Sequence, residues 1–262
     1  MRALHTAATG MMAQELNVQV ISNNIANMRT TGYKRQRAEF QDLLYQHVRR
    51  VGSQTSDQGN ILPAGVELGS GVKTAGTPRI MTQGNLLPTA KDFDVAIRGE
   101  GFFKILLPDG RTAYTRDGSF ELDAQGRIVT AQGYVLQPGI TVPQNAQSVT
   151  INQGGQISVA LPGQTALTQI GQVELAIFVN KAGLQGMGDN LYVETPASGT
   201  PQNGNPGVEG FGNLQQGQLE QANVEAVNEI SDLIAAQRAY EMNAKVITAA
   251  DQMLSATSNL MK

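Results

Sequence analysis

Few residues in this 262-residue chain have the type and spacing to do chemistry. Asp92 and Asp94 stand two apart in Lys91-Asp92-Phe93-Asp94, a spacing that on a strand turns two carboxylates to one face, as acid–base work would need. Asp109, Asp117 and Asp123 tempt a calcium reading. None of them forms a D-x-D-x-D-G loop, and each sits in a Gly-containing turn, where Asp is favoured for its bonds to the backbone. His5 and His47 are the only histidines, and cysteine is absent. A disulfide, a thiolate metal site, a thiol nucleophile and a His-rich metal cluster are therefore all excluded. Gly99-Glu100-Gly101 runs into the strand-like Phe102–Leu107 rather than into a helix, so it lacks the setting of a phosphate loop. No catalytic, cofactor-binding or metal-ligating residue is expected, no cofactor is implied, and the chain is not expected to be an enzyme.

The elements that would position any site fall into an unusual layout. All ten prolines lie between Pro63 and Pro206, and 27 of the 29 glycines lie between residues 41 and 217. Gly and Pro punctuate strands and turns and are costly inside helices. Two terminal helices carrying a turn-rich β body are expected, an α+β class. The net charge of −3 gives no reason to expect a nucleic-acid partner. No stretch approaches the ~18 apolar residues of a membrane span, and the start has no apolar run of the secretory-signal kind. The chain is thus expected not to be membrane-embedded, and to leave the cytoplasm, if it does, without a cleaved Sec signal.

Leu4, Ala8, Met11, Val18 and Ile25 form a narrow apolar stripe of coiled-coil type, and Gly32 is expected to end that helix. Asn223 is placed as the cap of the second helix, along which Ala226, Ile230, Leu233, Tyr240, Ala244, Ile247 and Leu254 recur at heptad spacing. Stripes this long suit a two-helix stalk that also packs on neighbouring copies. Asn23, Asn24 and Asn27 are poor helix-interior residues and are read as hydrogen-bonding groups that fix register between chains. The expected assembly residues are Leu4, Met11, Val18, Asn23, Asn24, Ile25, Asn27, Ile230, Leu233, Tyr240, Ile247 and Leu254. In residues 1–40 five basic side chains oppose two acidic ones, and in residues 219–262 six acidic oppose three basic, so the ends carry opposite sign. Such a bias favours correct pairing more than stability.

Residues 46–75 are polar and Gly-rich and read as an extended or mobile connector. Beyond it, Phe102–Leu107, Ala113–Thr115, Phe120–Leu122, Ser148–Ile151, Gln156–Leu161, Val173–Val179 and Asn190–Glu194 read as strands. Asp109-Gly110, Asp117-Gly118 and Asp123–Gly126 stand between the first of them as hairpin signals.

Motifs at both ends carry a resemblance. Ser22-Asn23-Asn24-Ile25-Ala26-Asn27 with Thr30-Thr31-Gly32-Tyr33-Lys34-Arg35, and Gln237-Arg238-Ala239-Tyr240-Glu241-Met242-Asn243-Ala244-Lys245 with Ala250–Leu254, resemble the two terminal signatures of the flagellar basal-body rod and hook family. Asp94–Phe103 and Tyr114–Phe120 look like its central β motifs. The match spans nearly the whole chain. The resemblance implies a D0 domain of paired terminal helices as a coiled coil (1–40 and 219–262), an extended connector (41–75) and a β-rich outer D1 domain (76–218). It implies a structural subunit of the distal rod, polymerising helically into a hollow, rigid drive shaft that transmits torque to the hook and encloses the export channel. A proximal rod or hook subunit is the alternative, and a wall-associated β enzyme a remoter one. The implied partners are further copies of the chain, proximal rod proteins, the hook protein, the surrounding P- and L-ring proteins and the type III export apparatus. The implied place is the periplasm-spanning rod of the basal body.

Overall fold

The computed structural model describes residues 2–49, 51, 64–163 and 166–260. It is mainly β, with one helix near each end. The chain divides into two units. One holds Met1–Ile25, Gln36–Pro78 and Ala226–Lys262; the other holds Ala26–Arg35 and Arg79–Glu225.

The first unit is built on the helices. α1 (Arg2–Ala26) has 25 residues and α2 (Ala226–Leu260) has 35, about 37 and 52 Å of helix at 1.5 Å per residue. Both are rich in Ala, Leu, Gln and Met, which lose little side-chain freedom in a helix. They lie side by side and antiparallel. Asn24 Nδ2 donates to Glu229 Oε2 at 3.1 Å. Gly10, fourteen residues before Asn24, faces Asn243, fourteen residues after Glu229. The described residues of α2 from Asp251 onward are exposed. α1 stops at Ala26, six residues short of Gly32. Turns follow, and the Gly32 amide bonds to Glu220 instead.

The same unit carries a β-ribbon where an extended or mobile connector was expected. β1 (Glu39–Asp42) pairs antiparallel with β4 (Val72–Gly76), and β2 (Tyr45–Arg49) with β3 (Val66–Gly69). Residues 50 and 52–63, the middle of the expected connector, lie outside the described residues. At the root of the ribbon the Val72 amide donates to Thr9 Oγ1 on α1, at 3.3 Å. Gly71 adopts φ +113° there, and a Cβ on it would come within 2.3 Å of that hydroxyl.

The second unit is the β body. Its strands in chain order are β5 (Leu86–Pro88), β6 (Val95–Arg98), β7 (Phe102–Leu106), β8 (Thr112–Thr115), β9 (Phe120–Leu122), β10 (Ile128–Thr130), β11 (Val135–Leu136), β12 (Ser148–Ile151), β13 (Gln156–Ala160), β14 (Thr168–Gln172), β15 (Leu175–Ile177), β16 (Gln185–Gly188), β17 (Leu191–Val193), β18 (Gln202–Gly204), β19 (Asn213–Gln216) and β20 (Gln218–Glu220). A nine-stranded sheet runs β16-β17-β8-β7-β11-β10-β9, with β15 also on β7 and β18 on β15. β12-β13-β14 form a second sheet, while β19 pairs β6 and β20 pairs β5. Every pairing is antiparallel.

Strand alternation sorts the core. On β7, Phe103 and Ile105 point into the main apolar cluster with Ile97, Ile157 and Leu175. Phe102 points the other way, into a smaller cluster with Tyr114, Phe178 and Tyr192 whose rings meet edge-on at 4.8–6.1 Å. Burial there pushes the Tyr114 hydroxyl up to about 12. Two of the three Asp-Gly signals close hairpins, β7–β8 and β9–β10. Asp117-Gly118 does not, because β8 pairs with β7 and β17 rather than with β9. Gly118 is there for closeness: a Cβ on it would sit 1.7 Å from the Val95 carbonyl oxygen.

Candidate functional site

The residues with the types for chemistry come apart in three dimensions. Asp92 lies in an exposed turn and Asp94 is buried, so the two carboxylates share no face. Asp109 takes the Arg111 amide at 3.0 Å and its Nε at 2.6 Å, and these bonds hold its carboxyl below the usual range. Asp123 accepts from the amides of Gln125 and Arg127 and from Arg127 Nε. Partial burial pushes its carboxyl up, but these bonds outweigh that and leave it low. Both are turn residues. His5 is exposed on α1, and His47 pairs across the ribbon with Glu67 at 3.0 Å. Among the described residues no group of three His, Cys, Asp or Glu could hold a metal ion, and no helix is long and apolar enough to cross a membrane.

The helix pair is where the expected assembly residues lie, and its buried residues run beside the stripes read in the sequence. Its buried residues on α1 are Ala7, Thr9, Ala13, Val20, Ile21 and Asn24. On α2 they are Glu229, Ala236 and Ala250, with half-buried Asn243 filling the same seven-residue repeat. Apart from Val20 and Ile21, these buried residues are small or polar. Gly10 on α1 makes room for the Asn243 side chain, whose Nδ2 would lie 2.9 Å from a Cβ there. Leu4, Met11, Val18, Ile25, Leu233 and Ile247 flank the seam half-buried. Ile230, Tyr240 and Leu254 face outward at 49, 43 and 48% exposure, among Val227, Ile234, Met242, Val246 and Met253, which are also exposed. Glu15, Val18 and Gln19 of α1 line an apolar groove with Gln237, Tyr240 and Glu241 of α2.

The three asparagines divide as well. Asn24 is buried inside its own chain. Its Nδ2 donates to the Gln36 carbonyl at 2.8 Å and its Oδ1 accepts from the Gln36 amide at 2.9 Å, which copies a backbone pair. Asn27 Oδ1 accepts from the Thr30 hydroxyl at 3.2 Å, and Asn23 is exposed.

The β unit holds a second polar centre that sequence reasoning missed. Lys34, the largest fully buried side chain, donates from Nζ to Glu220 Oε1 at 2.5 Å and to the Thr82 carbonyl at 2.8 Å. Glu220 Oε1 also accepts the Gly84 amide at 2.9 Å. Glu220 Oε2 lies 3.0 Å from Arg116 Nε yet outside hydrogen-bond geometry, a charge contact only. Arg116 gives its other donors to the carbonyls of Gly99 and Gly101. Burial lowers the Lys34 ammonium below its ordinary 10.5, against the pull of Glu220. Gly32, at φ +67°, donates its amide to the Glu220 carbonyl at 2.8 Å. Asn223, read as a helix cap, instead accepts the Arg35 amide and donates to Ile80 O and Thr82 O. The charge bias of the chain ends hinted at Lys34 meeting Glu220, but an isolated acidic residue on a three-residue strand gave no sign of burial.

Comparison with known proteins fits this anatomy. Three family descriptions match: "Flagella basal body rod protein" over residues 4–34, "Flagellar hook protein FlgE/F/G D1 domain" over 96–159 and "Flagellar basal body rod FlgEFG protein C-terminal" over 215–260. A protein of Caulobacter vibrioides named flagellar basal-body rod protein FlgG is 58% identical over 260 residues, 99% of each chain. Proteins of the same name from Agrobacterium fabrum and Bacillus subtilis are 51 and 36% identical, each over all of both chains. The chain therefore belongs to the FlgG family of flagellar basal-body rod proteins.

Proposed function

We propose that this chain is a structural subunit of the flagellar distal rod, with a mechanical rather than a catalytic role. The observation that carries the reading is the division of labour on the helices. Each chain closes its own helix pair with Ala, Gly, Asn and Glu, and turns Ile230, Ile234, Tyr240, Met253 and Leu254 outward. Large exposed apolar side chains on several sides of one long helix are costly for a chain that works alone, and they suit a helix that other copies cover. In this reading the helices of successive copies pack as a coiled-coil inner tube around an export channel. Leu4, Met11, Val18, Asn23, Ile25, Asn27, Ile230, Leu233, Tyr240, Ile247 and Leu254 lie in or beside the contacts between copies, and Asn24 sets the geometry of one of them. The rod spans the periplasm, its subunits leave through the type III apparatus, and proximal rod, hook and P- and L-ring proteins are its neighbours.

Cryo-electron microscopy of basal bodies extracted from cells making this chain tests the reading. Density for this sequence in the rod segment just below the hook is expected, with α2 at the inner wall. Density nearer the inner membrane, in the hook, or in no tube would refute the distal assignment.

A further inference from the structure

The β unit is assembled from two pieces of chain, 26–35 and 79–225, so it has four ends through which force enters or leaves it. Three of those ends are tied together by buried polar bonds. Lys34 reaches the Thr82 carbonyl and Glu220. Glu220 reaches the Gly84 amide with its side chain and the Gly32 amide with its backbone carbonyl. Asn223 takes the Arg35 amide and gives its own protons to Ile80 O and Thr82 O. The Ile80 amide closes the ring by donating to the Arg35 carbonyl at 2.9 Å. Residues 32–35, 80–84 and 220–223 thus form one polar knot in the unit, with none of them in the apolar cluster around Phe103 and Ile105.

We infer that Lys34, Glu220 and Asn223 are positioning residues of a load clasp, which carries force from one entering segment to the next without passing it through the β sheets. The inference rests on the rod reading, since only a torque-bearing subunit is pulled at these ends. Two physical points support it. Bonds that tie the attachment points share a load in parallel, whereas strands pulled one at a time peel from a sheet in series. Burying a lysine with a glutamate adds little for stability alone, because well-packed apolar side chains of the same volume commonly do as well or better. What charged, directional groups add is one fixed geometry.

The test is the full-length chain with Lys34→Met and Glu220→Met together, which removes both charges and keeps the volume. Asn223→Ala serves as a second variant that leaves the ion pair in place. Hydrogen exchange is read at the Gly32, Arg35 and Ile80 amides and, as reference, at the Ile105 and Ala113 amides of the central sheet. Exchange accelerated at least tenfold more at the first three than at the reference amides is the expected result for both variants, with the double variant also melting lower because Arg116 and the Gly84 amide lose Glu220. Unchanged clasp amides, or equal acceleration at the reference amides, would overturn it. In cells, the double variant should form rods in normal number and swim at wild-type speed in dilute medium, then lose speed more steeply as medium viscosity rises. Parallel speed–viscosity curves would overturn the load-bearing role even if the exchange result stands. Absence of the wild-type chain from rods would instead sink the rod reading, which the exchange result does not depend on.

Discussion

Gly32→Ala probes how tightly residues 26–35 are seated in the β unit. Gly32 sits at φ +67°, in the left-handed region. A Cβ there would lie 2.6 Å from the Asp117 amide nitrogen and 2.8 Å from the Arg116 carbonyl carbon. Both are backbone atoms, and Arg116 is itself pinned by Gly99 and Gly101, so neither yields by rotating a side chain. The left-handed conformation costs alanine about 1–2 kcal/mol, and forcing a methyl into packed backbone adds about 1–3 kcal/mol. The expected loss is about 2–5 kcal/mol. Gly110 supplies the control. It has φ +83° in the β7–β8 turn, and a Cβ there meets nothing within 4 Å. Gly110→Ala should therefore cost only the conformational part, about 1–2 kcal/mol. Thermal unfolding followed by near-ultraviolet circular dichroism reads both variants, at roughly 2–4 °C per kcal/mol for a domain of this size. If Gly32→Ala melts no lower than Gly110→Ala, segment 26–35 is not seated against Asp117 and the reasoning fails.

Ile230→Asp changes an exposed residue outside the apolar groove of the helix pair, so monomer stability should move by no more than about 0.5 kcal/mol, while polymerisation read by sedimentation should be lost; normal filaments would refute Ile230 as a contact. Gly10→Ala should stabilise the helix pair by up to about 1 kcal/mol, because its Cβ meets only the mobile amide end of Asn243 at 2.9 Å; a lower helical melting point would show the approach to be tighter than that. Burial raises the Asp117 carboxyl above 3.8 despite bonds from Ser119 and Asn190. The folded chain then holds that proton more tightly than the unfolded one, so the penalty for the charge is full above the raised value and fades as pH falls through it towards 3.8. Asp117→Asn should accordingly melt higher than wild type near pH 7, with the gap closing as pH falls through that window; a gap independent of pH would refute the buried charge.

What the sequence made legible follows from which signals have a single cause. Asp109-Gly110 and Asp123–Gly126 announce hairpins because short apolar runs flank them and each glycine takes the positive φ of its turn. Asp117-Gly118 carries the same letters, but there the glycine serves a backbone crossing under Val95, a contact between segments far apart in sequence. The ribbon β1–β4 escapes notice because β2 and β3 are exposed on both faces, so neither strand needs the alternation that marks a half-buried one. Gly32 has the look of a helix stop, yet its positive φ serves a bond to Glu220 six residues beyond the end of α1.

The helices carry the subtler point. Heptad spacing of large apolar residues is visible in the sequence, and it suggests the stripe along which the stalk itself closes. Hydrophobic periodicity reports that a face is covered, and it is silent on which chain covers it. In a subunit built to polymerise, the two kinds of contact compete for the same helices. The pairing within the chain forms once, and mostly small residues with Val20, Ile21 and directional groups such as Asn24 with Glu229 serve it. On the proposed reading, the exposed bulky residues supply the area that holds a neighbouring copy. Leu233, Tyr240 and Ile247 each stand four residues after Glu229, Ala236 and Asn243, so they share the seam's face and lie at its edge, where on the proposed reading other copies cover them.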